Sequence, residues 1–225
     1  MSNVTVIRCT SVAQFVFSVD QPRCGVVWDG EKREVFEKRF GLLGLQVLEG
    51  NGMYMWQYPK GLCKLGEQRK LQLGFVQGNE NEIGVHVEGT TEDAIDALRE
   101  IWFAIGEIAE EKEVALDESL GTFAYSTTAV VQLSRTYREL FPGLELIARH
   151  TREGLGASLM GAPGVEQFRI ESHVRSAVGA LAVDRATIIE PRFTSKAEDR
   201  IFFTQSPLRS DLHKAMLEDL CRSVK

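Results

Sequence analysis

The sequence predicts an α+β protein in which antiparallel sheets are covered by two long helices. Three observations predict it: a capped amphipathic helix near the middle, a second amphipathic helix at the C-terminal end, and alternating runs joined by Asn/Gly turns. Both helices carry apolar residues at three- and four-residue spacing, which places them on one face. The strands between them alternate with period two, as half-buried strands do.

The elements follow in chain order. Residues 4–9 read as a strand, and Val12, Phe15, Val16 and Val19 then recur at helical spacing. Residues 25–28 read as a strand. Residues 42–48 and Met53–Tyr58 flank Glu49-Gly50-Asn51-Gly52, and residues 70–77 and Glu82–Glu88 flank Gly78-Asn79-Glu80-Asn81. Asn and Gly tolerate positive φ, so both pairs predict hairpins. Thr90 with Asp93 three residues on spells a capping box. Ile95, Leu98, Trp102, Ile105 and Ala109 continue that helix toward Lys112.

Residues 123–133 read as a strand, followed by a short helix that Ser134 would cap and that carries Tyr137, Leu140 and Phe141. Further strands are expected at 144–151, 168–175, 183–193 and 200–204. Ser206 as N-cap and Pro207 at the first helical position would open the closing helix. Its face would be Leu208, Leu212, Ala215, Met216 and Leu220. Residues 1–116 and 117–225 thus share one order: strand, short helix, several strands, long helix. Two pseudo-repeated halves are expected, with one continuous domain as the alternative. This order resembles tandem folds such as that of the TATA-binding protein, and no motif extends the resemblance to function.

Composition narrows the function classes. The 225 residues are 44% hydrophobic and 26% charged, as in ordinary globular proteins. A net charge of −6 disfavours nucleic acid and anionic membranes as partners. Cys9, Cys24, Cys63 and Cys221 form no CxxC pair and read as reduced thiols. No basic-then-apolar leader and no apolar run of membrane length is visible. The expectation is a cytoplasmic, soluble, acidic protein without membrane association.

Two constellations stand out. His150-Thr151-Arg152 and His173-Val174-Arg175 each set an imidazole and a guanidinium two residues apart, on one face of a strand. Together, His150, Arg152, His173 and Arg175 would suit a phosphate or carboxylate. The pair of spaced histidines is similar to the two-histidine phosphoesterases, but those place a hydroxyl residue two positions after each His, where Arg152 and Arg175 stand here. The ordinary reading is a solvated strand face. The glycines of residues 154–164 match neither a P-loop nor a dinucleotide fingerprint, because no GK[S/T] follows and no helix opens there.

The second constellation is Met53, Tyr54, Met55, Trp56 and Tyr58, apolar on both faces of one strand. It is expected to be central core or, where exposed, a partner surface, since Trp, Tyr and Met favour interfaces. The acidic face of the helix that Thr90 caps would suit a basic partner, with a solvated surface as the ordinary reading. His86 with Glu88 falls short of a metal site, and His213 is expected to be an exposed, isolated histidine. No Gly-x-Ser-x-Gly elbow is present. The sequence therefore favours a non-enzymatic protein-binding or regulatory module with an unidentified protein partner and no cofactor. An enzyme or binder of a phosphorylated ligand using the His/Arg cluster is the alternative.

Overall fold

The computed structural model describes residues 3–50, 53–66, 69–111, 115–117, 119–144, 146, 169–178, 181–191 and 200–224. The protein is mixed α+β, with extensive antiparallel sheet and several helices. It divides into two compact units: Cys9–Thr127, and Met1–Arg8 together with Thr128–Lys225. Strands β1 (Val4–Phe17) and β7 (Gly121–Leu133) each run from one unit into the other.

In the unit Cys9–Thr127, β2 (Gln46–Gly50), β3 (Met53–Tyr58), β5 (Arg69–Gly78), β6 (Glu82–Glu88), β1 and β7 lie in that order. β4 (Gly61–Leu65) pairs with Leu73 to Arg69 of β5, while β3 pairs with Val76 to Gly78 of the same strand. Both expected hairpins are present. Gly74 marks a bulge in β5, and a Cβ there would collide with Nδ1 of His86. The bare backbone makes room for the imidazole, which packs on Phe75.

Several local expectations are corrected. Val12, Phe15, Val16 and Val19 do not open a helix: β1 continues to Phe17, with Ser11, Ala13 and Phe15 buried opposite Val87, Val85 and Ile83 of β6 and Phe17 buried beyond them. The apolar run fits both periods, and pairing with β6 selects period two. Residues 25–28 belong to a 3-10 helix, Pro22–Trp28, which Pro22 opens. The unexpected α1 (Gly30–Phe40) follows, capped by Asp29 accepting N–H bonds from Glu31 and Lys32 and stopped by Gly41 at φ 54°. β2 starts only at Gln46, and β4 was not foreseen.

α2 (Thr91–Ile108) has the predicted capping box: Thr90 N–H donates to Asp93 Oδ2 at 2.6 Å and Asp93 N–H to Thr90 Oγ1 at 3.3 Å. It ends before Lys112, where Glu110 takes positive φ. Its apolar face covers a core of Phe15, Phe17, Phe36, Phe40, Trp56, Tyr58 and the aliphatic residues of β5 and β6.

In the other unit the order is β1, β7, β10 (Ile201–Ser206), β9 (Leu181–Pro191), β8 (Ile170–Val178). α3 (Tyr137–Leu140) is capped by Thr136 rather than Ser134, because Glu139 sits three residues after Thr136 and completes the box. Leu144 and Leu146 are helical where a strand was expected, and the rest of that expected strand lies outside the described residues. The closing helix α4 (Ser210–Ser223) starts after Arg209, so Ser206 is no N-cap. Pairing with β9 holds the chain extended through Phe202 to Gln205, and Ser206 ends β10 fully buried.

Candidate functional site

On β3, Tyr54, Trp56 and Tyr58 share one face, and the β2–β3 register adds Val47, opposite Trp56, and Glu49, opposite Tyr54. What covers that face changes along the strand. Trp56 is fully buried: its Nε1–H donates to the Cys24 carbonyl at 2.9 Å, and Phe36 meets its ring edge-on at 6.0 Å. Tyr58 is also buried, its hydroxyl donating to Glu37 Oε1 at 2.9 Å. Tyr54, nearer the hairpin tip, is 59% exposed.

The exposed end of this face floors a cleft of about 520 Å³. Val47 and Tyr54 come from the hairpin, Cys24, Gly25 and Trp28 from the 3-10 helix, and Asn79, Glu80 and Asn81 from the β5–β6 turn. Trp28 is 50% exposed and Val47 52%. Asn79 Oδ1 accepts N–H bonds from Asn81 at 2.8 Å and Glu82 at 3.0 Å, which fixes the turn. The carbonyls of Glu80 and Asn81 accept from Gln21 and Phe17, so the turn is tied down while the Glu80 residue stays exposed. Burial pushes the Cys24 thiol up to about 12, so this cysteine stays protonated near neutral pH and serves as apolar wall. The cleft offers two aromatic surfaces, one carboxylate and no basic side chain among its lining residues.

A second cavity of about 390 Å³ lies along α2, beside Arg23, Trp102 and Phe103. Arg23 sits 4.7 Å over the Trp102 ring and pairs with Glu111 at 2.9 Å. Arg39 of α1 bridges Glu100 at 2.9 Å and Glu107 at 2.5 Å. These pairs tie α2 to α1 and to the 3-10 helix, and they occupy part of the acidic face whose ordinary reading was a solvated surface.

The sequence candidates are distributed as follows. His150, Arg152 and the glycine-rich residues 154–164 lie outside the described residues. The backbones of His173 and Arg175 are on β8, paired with Ala186 and Asp184 of β9, and their side chains lie outside the described set. Met53 pairs with Gly50, and its side chain is likewise outside. Met55 is half-buried. Among the described residues no group of three or more His, Cys, Asp and Glu is placed to hold a metal ion. No described helix is long and apolar enough to cross a membrane.

His213 corrects its expectation: it is buried, with Nε2 3.0 Å from Thr204 Oγ1. Thr204 Oγ1 donates to the Ala129 carbonyl at 3.3 Å and so accepts from the histidine, which places a proton on Nε2. Of these cleft-lining residues, sequence reading singled out Tyr54 but not Trp28, Val47 or Glu80. The signal for Trp28 was Asp29, whose N-cap role would have placed Trp28 at the exposed turn before α1. No protein-family model and no curated protein matches this chain.

Proposed function

We propose that this protein is a non-enzymatic protein-binding module whose binding surface is the cleft of Trp28, Val47, Tyr54 and Glu80. The observation that carries the reading is the exposure of two aromatic rings and a valine around one concavity, in a unit whose other two tryptophans, Trp56 and Trp102, are buried. Large apolar groups left exposed together, rimmed by polar residues, mark partner sites, and Trp and Tyr supply the anchoring energy at such sites. The chain order strand, helix, antiparallel strands, helix, found once within residues 1–116 and again within residues 117–225, supports the reading of pseudo-repeated halves whose last helices have 18 and 14 residues.

The test is capture from native lysate by the tagged protein, beside its Trp28→Ala/Tyr54→Ala variant. A stoichiometric protein recovered by the wild type and lost by the variant is the expected result. Recovery of the protein alone, or of a nucleotide or phosphoester whose retention depends on His150 and His173, overturns the reading.

A further inference from the structure

We infer that the partner segment binds as an added antiparallel strand on the outer edge of β2, with basic residues facing the cleft and apolar residues facing Leu48. This inference rests on the cleft as a partner site and specifies how the partner is held.

β2 ends the strand order: it pairs with β3 on one side, and no described strand pairs with the other. In an antiparallel ladder, alternate residues of an edge strand turn their N–H and C=O groups outward. Such edges template pairing with another chain, and proteins commonly blunt them with Lys, Pro or a bulge. Gln46-Val47-Leu48-Glu49-Gly50 contains neither Lys nor Pro, and its register with β3 runs unbroken from Gln46 to Gly50. The opposite end of the strand order, β8, carries Arg169 just before it and Glu171, His173 and Arg175 within it.

The side chains specify the occupant. An added strand continues the alternation of β2. Half of its residues would lie over the face of Val47, Glu49 and Tyr54, toward Trp28 and Glu80, and the other half over the face of Leu48. The first face joins aromatic rings to the exposed residues Glu49 and Glu80 with no basic lining residue. A Lys or Arg there lays its stem on the rings and brings its charge to the carboxylates. The second face presents the exposed apolar Leu48. The occupant is therefore an extended peptide alternating basic and apolar residues, held by main-chain hydrogen bonds and selected by the cleft.

The experiment uses the whole protein and synthetic peptides, so no variant has to fold. Trp56 and Trp102 are buried, so emission quenching by iodide reports on Trp28. The probes are an acetylated nonapeptide alternating lysine and valine, a glutamate–valine counterpart, and two N-methylated versions, one methylated on every lysine nitrogen and one on every valine nitrogen. In a strand the direction of each N–H is linked to the face of its side chain, so only one methylated series meets β2. The lysine–valine peptide is expected to protect Trp28, and one methylated series to bind roughly tenfold or more weaker than the other. Equal binding by the two methylated series overturns strand addition. Equal binding by the glutamate–valine peptide overturns the basic specificity. Failure of the lysine–valine peptide to bind overturns the inference, while partner loss on Trp28→Ala/Tyr54→Ala still upholds the cleft as a protein-binding site.

Discussion

The two longest described helices are anchored in different ways. α2 buries ten residues and starts from a complete capping box, and Arg39 reaches across from α1 to two of its glutamates. α4 buries only His213, Leu217 and Cys221, and its N-cap Arg209 makes no side-chain cap bond. One helix is held by a broad apolar stripe on an aromatic core. The other is held by a narrow stripe that includes a hydrogen bond between His213 and Thr204. The contrast shows that similar amphipathic spacing in sequence can hide unequal anchoring.

The most disruptive break in this contrast is at Trp56, the floor of the core that α1 and α2 cover. Trp56→Ala removes a ring that packs against Phe36 and Tyr58, together with its hydrogen bond to the Cys24 carbonyl. It is expected to cost about 3–5 kcal/mol, read as a lower urea midpoint. An unchanged midpoint would mean that the aromatic core does not carry this unit.

On α4 the matching substitution is His213→Leu, paired with Thr204→Val in a double-mutant cycle. A coupling of about 1 kcal/mol is expected, because one buried hydrogen bond is at stake. Additive effects would show that the histidine holds α4 by packing alone. Thr90→Ala should cost about 1 kcal/mol through loss of the α2 cap, measurable by thermal unfolding and restored by Thr90→Ser.

These anchors were unequally legible in the sequence. The Thr90 box was readable because both halves of a cap lie within one turn, and the β5–β6 hairpin because its turn residues are local. His213 was not, because burial depends on Thr204 and Ala129, which another part of the chain supplies. β1 was misread because its apolar residues satisfy two periods at once, and only β6 decides between them. α1 was missed because Glu, Lys and Arg dominate it and only Phe36 and Phe40 are buried. At the site, the Met53–Tyr58 run was visible as an aromatic strand. That Tyr54 is open while Trp56 is covered depends on where the 3-10 helix crosses the sheet, and residue spacing does not encode that.

The smallest effect sharpens the comparison through pH. Burial raises the Glu82 carboxyl, a shift partly offset by the bond from Gln14. Its contribution to stability is thus fully present below the unfolded carboxylate pKa, about 4.3, and is lost as pH rises through the folded value. Glu139 is shifted the other way, lowered first by the Thr136 backbone N–H and then by the Thr136 hydroxyl. Its contribution is present above the unfolded value and is lost as pH falls through the folded one. Glu82→Gln should therefore stabilise at neutral pH, and Glu139→Gln should destabilise there. Both differences should shrink on acidification, because the native carboxyls then become neutral like the amides that replace them. Melting temperatures of the two variants relative to wild type, followed from about pH 7 down to about pH 3, check this. The same sign of effect at neutral pH in both would mean that the cap on α3 is not worth its charge, or that the Glu82 carboxylate is better solvated than its burial against Gln14 implies.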